Sequence, residues 1–411
     1  MSRSAGLALA LIGTLLLLWP PMLSAQDAAL DITYEVSREP NVEVMGFRGA
    51  HAEDVRRILI RNLRHSGFLE VQPAGNADYS IVGRTAAAGG GLSLDLELFD
   101  HLLDEVVEAV HFQIPAPQAG GFRLAVHAVS DEVLHWIVGE PGVAASRVVF
   151  VGRTHLGSGL HQIDVDGEGL RLLVEQESPI VTPTWHPDGD RLAYTTFREG
   201  DSRIVALDLV RMWERDLVVR DGTNIGLHWD PEGGGFAFAG TDGMDTRIFV
   251  VAPGRGPRLL AGSPGSDSFA PVYTPDGRTL IYASDRSGRP ELVHRDLQTG
   301  VEHRPTPFGR RAEVHGPSVS PDGRAAAVHY RTSDGFQIGV YPLDGGPGRT
   351  LTTLGNNRDP SFAPNGRHLV YRSDLGQPGL YVLDTETGHR RLLIRGDHRY
   401  PVWSPVLQTT R

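Results

Sequence analysis

The chain has 411 residues, 40% of them hydrophobic and 22% charged, enough for two or three domains; 49 glycines and 28 prolines suit a β-rich globular protein. A formal charge of −11 argues against nucleic acid or an anionic membrane surface as the main partner. Cysteine is absent, which excludes disulfides, thiolate catalysis and cysteine-ligated metal, and all 39 basic residues are arginine, a bias that codon usage explains without any demand for guanidinium.

The first 25 residues have the build of an export signal: Arg3 supplies the positive end, Leu7 to Trp19 the apolar core, and Leu23-Ser24-Ala25 a cleavage site. Pro20 and Pro21 stop the apolar run at about 13 residues, short of the roughly 20 that span a bilayer, so cleavage is expected rather than an uncleaved anchor. No later stretch is long enough to span, and an exported chain without membrane insertion follows. Next, Leu30, Ile32, Tyr34 and Val36 alternate with polar residues. That segment is either a β-segment offered to a partner or a plain first strand.

Residues 26–140 read as a small α/β domain. His51 to Ser66 is a helix candidate, with Val55, Ile58, Leu59 and Leu63 at three- and four-residue intervals and Gly67 where a C-terminal cap belongs. Tyr79 to Arg84 and Leu92 to Phe99 alternate in period two. Gly89-Gly90-Gly91 joins them as a loose hairpin, since no Lys-Ser/Thr follows to make a phosphate cradle. Val106 to Ile114 is a further strand and Phe122 to Gly139 a second helix. Gly139-Glu140-Pro141-Gly142 is the linker to residues 145–411.

That last region repeats one unit. Its clearest copy runs Ala270-Pro271-Val272-Tyr273-Thr274, then Pro275-Asp276-Gly277, then Arg278-Thr279-Leu280-Ile281-Tyr282-Ala283. Short alternating runs flank a turn in which Pro fits the second position, Asp the third and Gly the left-handed fourth. The prolines at 187, 231, 275, 321, 364 and 405 are separated by 44, 44, 46, 43 and 41 residues, the period of a four-stranded propeller blade. The last copy lacks its later strands, and Arg147 to Arg153 with His161 to Val165 forms a copy lacking its start. Joined, they complete one blade, so the expected architecture is an all-β six-bladed β-propeller sealed by pairing Tyr400 to Trp403 with Arg147 to Val151.

The groups of an enzyme are hard to find. No Gly-x-Ser-x-Gly elbow or His-Glu-x-x-His occurs, and the 17 histidines are scattered without ligand spacing, so neither metal nor cofactor is expected. The repeated Asp-Gly pairs are adjacent, unlike the spaced pair of a sialidase Asp-box, and read as turns. Binding is better supplied. The loops entering the inner strands, Val181-Thr182, Thr223 to Ile225, Asp267-Ser268-Phe269, Glu313 to His315, Asn356 to Asp359 and Asp397-His398-Arg399, face one end of the channel. Their mix of charge with an occasional aromatic suits a protein-docking rim. A solvent-filled mouth without a partner is the bland alternative.

An export signal, an α/β domain containing Ile58 to Leu63, Ser66-Gly67-Phe68 and Ala77 to Arg84, and a six-bladed ring of Pro-Asp-Gly repeats together resemble the TolB family, the periplasmic component of the Tol-Pal system. The resemblance covers nearly all of the mature chain. It implies non-enzymatic scaffolding: the ring face would hold a Pal-like lipoprotein, the N-terminal strand within Asp27 to Val36 would engage a TolA-like protein, and colicins would exploit the same ring face. The Pal-contacting positions fall on Asp267, Ala270 and His315, with Arg358 and Asp359 in the next blade. The loop residues Ser268, Phe269, His398 and Arg399 complete the expected face. The chain departs from the family in a short connection between Gly67 and Ala77, in Leu227 where other blades have proline, and in Asp267 where histidine is common.

Overall fold

The computed structural model describes residues 39–408 except residues 74 and 199. The export signal and the Leu30, Ile32, Tyr34 and Val36 segment lie outside the described residues.

The α/β domain begins with a strand, Asn41–Val44, that the sequence pattern does not announce. It pairs in parallel with Glu70–Gln72 on one side and Tyr79–Ala88 on the other. The sheet continues antiparallel through Gly91–Asp100 to Glu105–Pro115. Leu92, Leu94, Leu96 and Leu98 alternate inward and are almost fully buried. Gly89 and Gly90 both have positive φ, 56° and 86°, and Ala88 pairs with Gly91, so the expected loose hairpin is in fact a tight two-residue turn of the kind that needs two left-handed residues. Helices α1 (Ala52–His65) and α2 (Phe122–Val138) pack on one face. Val55, Leu59 and Leu63 from α1 and Val126 and Val133 from α2 share one core with the leucines of the sheet.

Residues 147–403 form six four-stranded antiparallel sheets. The inner strands are Ile180–Trp185, Asn224–Trp229, Ser268–Tyr273, Val314–Val319, Asn357–Phe362 and Arg399–Trp403. The last pairs with Arg147–Arg153, Val402 opposite Val149 and Trp403 opposite Val148, so the chain's two ends share a sheet and the ring has no open edge there. On the second strands, Phe150, Tyr194, Phe238, Tyr282, Val328 and Tyr371 occupy one repeat position and are fully buried, filling the wedges between sheets. The Pro-Asp-Gly turns form as expected. Gly277 N–H donates to Thr274 O (2.9 Å), and Asp276 Oδ1 accepts from Thr274 Oγ1 (2.6 Å) and Arg278 N–H (3.0 Å). Ser320 and Asp322 repeat that pattern, which spends these carboxylates on the turn.

Candidate functional site

The inner strands enclose a channel of about 770 Å³. Each strand breaks register once against its neighbour, between Val181 and Thr184, Ile225 and His228, Phe269 and Val272, His315 and Ser318, Arg358 and Ser361, and Arg399 and Val402. At each bulge one residue has positive φ: Thr182 (47°), Gly226 (66°), Ala270 (52°), Gly316 (55°), Asp359 (55°) and Tyr400 (51°). Five of the six precede proline, which further disfavours helical backbone at that position. Left-handed backbone at β-branched Thr182 and bulky Tyr400 is unusual, and such strain costs roughly 1–3 kcal/mol per residue. The bulges bend the strands at the mouth and set six residues around it. Side-chain bonds join the blades there. Thr182 Oγ1 accepts from Gly226 N–H (3.2 Å), Ser318 Oγ from Phe362 N–H (3.0 Å) and Ser361 Oγ from Trp403 N–H (3.0 Å).

One sector of the mouth carries a continuous stack. Phe269 lies on His315 (centroids 5.9 Å apart), His315 on His329 (5.4 Å), His329 edge-on against Phe336 (5.5 Å), and the Arg358 guanidinium covers Phe336 at 3.8 Å. Burial, with His315 and Arg358 nearby, pushes His329 down to about 3, so its ring is neutral at pH 7. Burial alone pushes His228, deeper in the channel, down to about 4 against the bond its Nδ1 makes to Trp229 O. Asp359 is raised by burial against the pull of Arg372 and the Tyr400 N–H. The mouth therefore combines partly exposed Phe269, His315 and Arg358 with buried His329 and Phe336 behind them, a mix of aromatic and charged groups of the kind found in protein-docking sites.

Of the residues expected on this face, Phe269, Ala270, His315 and Asp359 line the channel. Asp267 and Arg399 are exposed; Asp267 Oδ1 accepts Thr246 N–H (2.7 Å) from the neighbouring blade and Arg399 pairs with Asp397 (3.2 Å). His398 leans on Phe150 at 4.6 Å, away from the stack. Ser268 departs from expectation. It is fully buried, its Oγ bonded to Ser284 Oγ (3.2 Å), and Asn224 and Asn357 at the same strand position are equally buried. These three polar residues fasten the starts of inner strands instead of facing a partner.

The opposite end of the ring carries the α/β domain. Arg123 of α2 bonds Asp164 (2.9 Å) and, through Nη2, both oxygens of Asp166 (2.9 and 2.7 Å). Arg147 adds a second bond to Asp164 (3.0 Å), and buried His127 Nε2 sits 3.4 Å from it. Burial would raise Asp164, but His127, Arg123 and Arg147 outweigh it and hold the carboxyl at about 2. His127, Asp164 and Asp166 form the cluster, among the described residues, with ligand atoms close enough for a metal, within 4.8 Å of one another. Local spacing could not announce it, because α2 and the first blade supply its members. Its carboxylates are already taken by arginines, so it reads as an ion-paired joint. A second contact lies at Gly67-Phe68. Arg367 donates to Gly67 O (3.1 Å), covers the Phe68 ring at 4.0 Å and grips Asp384 (2.6 Å). Between them Asp131 of α2 accepts Ala144 and Ala145 N–H, both at 2.8 Å, and fixes the linker.

The comparisons with known proteins fit this architecture. The TolB beta propeller domain matches residues 135–407. The chain is 29% identical to the Tol-Pal system protein TolB of Bordetella parapertussis over 435 residues, covering 98% of this chain and 96% of that protein. A protein of the same name from Actinobacillus succinogenes is 28% identical, covering 87% and 88%. The crystal structure of TolB from Acinetobacter baumannii matches with a TM-score of 0.80 at 24% identity, covering 90% of this chain and 97% of that one, a likeness of fold.

Proposed function

The chain belongs to the TolB β-propeller family and is a Tol-Pal system component of that type; from that premise we propose that it is a non-enzymatic periplasmic scaffold linking a Pal-like lipoprotein at the outer membrane to a TolA-like protein at the inner membrane. In this role it serves envelope integrity and outer-membrane constriction during cell division, and colicins exploit it as a docking site. The Pal-like partner binds the channel mouth; the TolA-like partner takes the segment containing Leu30, Ile32, Tyr34 and Val36. The observation that carries the reading is the stack from Phe269 to Arg358, in which buried His329 and Phe336 back the partly exposed Phe269, His315 and Arg358, residue types that dominate protein interfaces. Export fits the same reading, and no helix among the described residues is long and apolar enough to cross a membrane.

A pulldown of the mature chain with its cognate Pal-like lipoprotein, repeated with Arg358→Glu and His315→Ala, tests the assignment. We expect each variant to weaken binding at least tenfold; full retention by both rejects this face. The channel's volume favours a second reading, a sensor of sugars or peptidoglycan fragments, because about 770 Å³ is the size of a small-molecule site. Saturable binding of a muropeptide to the partner-free chain, abolished by Phe269→Ala, would favour that reading over the scaffold.

A further inference from the structure

Beneath the joint lies a small cavity of about 20 Å³. Asn62 and His65 of α1, Ser130 of α2, Ala144 of the linker, Val165 of the first blade and Arg391 of the last all line it. Three of these residues have a buried polar atom with no hydrogen-bond partner: Asn62 Oδ1, His65 Nδ1 and Arg391 Nε. The remaining polar contacts of Asn62 and Arg391 fix the orientation of those two side chains. Asn62 Nδ2 donates to Ser130 Oγ (2.8 Å) and approaches His127 Nδ1 (2.9 Å), and Arg391 Nη2 donates to Val165 O (2.6 Å). Orphaned buried polar groups are rare in folded proteins because each costs roughly 1–3 kcal/mol. Three lining one cavity point to a ligand that serves all of them.

The chemistry of the three groups restricts that ligand. Arg391 Nε–H can only donate and its guanidinium stays charged, and the two carboxylates in the lining, Asp131 and Asp166, are already bonded by the Ala144 and Ala145 N–H groups and by Arg123, which together disfavour a cation. Asn62 Oδ1 can only accept, which is unfavourable for an anion. His65 Nδ1 can do either. A cavity able to hold water needs about 10–15 Å³, and this one has room for a single molecule. We propose that the cavity binds one water molecule that accepts a hydrogen bond from Arg391 Nε–H, donates one to Asn62 Oδ1 and makes its third with His65 Nδ1. That water touches α1 and the last blade directly and is walled by α2, the linker and the first blade. Separating the α/β domain from the ring therefore has to release it.

The test is a high-resolution crystal structure of the mature chain, with a parallel bromide soak read by anomalous scattering. We expect a water peak within hydrogen-bond distance of all three atoms and no bromide. A bromide peak, or no density there, overturns the proposal. A double-variant cycle with Asn62→Ala and Arg391→Met gives an independent readout, because the two free atoms are not bonded to each other. A shared water predicts that the double variant raises the unfolding constant at least threefold less than the product of the two single effects. Strict additivity would count against a bridge.

Discussion

The two ends of the ring solve opposite problems with the same strands. At the joint, charges are buried and matched: Asp164 meets Arg123 and Arg147, Asp384 meets Arg367, and α1, α2 and the linker are tied down through them. At the mouth, partly exposed Phe269, His315 and Arg358 stand in front of buried His329 and Phe336, and the backbone is held left-handed at six successive bulges. One end spends its carboxylates on internal ion pairs and leaves few charges to a partner. The other keeps apolar faces and strained backbone accessible, features that gain from being covered. A single set of blades can thus hold its own domain firmly at one end and receive a partner at the other.

The strand Arg399–Trp403 belongs to both ends, so removing it should give the largest effect. Tyr400 stands at the mouth, while Trp403 Nε1 donates to Ser146 Oγ (2.7 Å) beside the linker and Ser404 Oγ accepts Arg147 N–H (2.9 Å). Deleting residues 400–411 reopens the ring, and we expect the melting temperature of the whole ring to fall by more than about 10 °C, since several kcal/mol of packing and pairing go at once. An unchanged melt would mean that closure does not stabilise the ring.

Next in size is a contrast between the ends. Asp384→Ala takes the buried carboxylate from partly buried Arg367, leaving it Gly67 O and Glu386, and should cost about 1.5–3 kcal/mol in denaturant unfolding, the range for hydrogen bonds to charged groups. Arg358→Glu at the mouth gives up the contact with the Phe336 ring and should cost about 1 kcal/mol while weakening partner binding. If the two variants destabilise equally, the division between a fastening end and a receiving end is wrong.

Acid titration separates the buried histidines from the paired carboxylates. His228 and His329 have folded values near 4 and 3, below the ordinary 6.5, so the stability each confers is complete above pH 6.5 and is lost as pH falls through those lower values. Asp164 and Asp384 are held near 2, below the ordinary 3.8. Burial opposes that shift in both; His127, Arg123 and Arg147 produce it at Asp164, and Arg367 with the Glu386 N–H at Asp384. Their contribution is complete above pH 3.8 and is lost only towards pH 2. We therefore expect stability to decline from about pH 6 on account of buried histidines at both ends, His228 and His329 at the mouth and, pushed down to about 4 by burial, His65 and His368 at the joint, while the ion pairs of the joint weaken only below about pH 4. His329→Phe should flatten the upper part of that profile and leave the lower part; a profile that His329→Phe leaves unaltered above pH 4 would contradict this order.

Much of the ring was legible in the sequence because a propeller is periodic: Pro-Asp-Gly turns every 41 to 46 residues state the blade count, and the incomplete copies at the two ends state the closure. The helices were legible from apolar spacing. What escaped depends on contacts distant in sequence. Asn41–Val44 and Glu70–Gln72 are too short to show alternation and exist through parallel pairing with each other and with Tyr79–Ala88. Ser268 looked like a rim residue because it is polar and precedes Phe269, but the first position of the inner strand points into the blade. The cluster of His127, Asp164 and Asp166 and the cavity at Asn62, His65 and Arg391 draw on both domains, so no local motif marks them.

The smallest expected effect concerns the bulges themselves. Ala270 at φ 52° has no side-chain hydrogen bond to lose, so Ala270→Gly isolates the backbone term. Relief of left-handed strain is worth about 1–2 kcal/mol, and the extra freedom of glycine in the unfolded chain returns about 0.5–1 kcal/mol of it. A net stabilisation of several tenths to about 1 kcal/mol should appear as a small rise in melting temperature. The same substitution should weaken partner binding slightly, because a looser bulge has to be ordered on docking. If Ala270→Gly instead lowers the melting temperature, the left-handed backbone at the mouth is relaxed, and the strain assigned to the receiving end of the ring disappears with it.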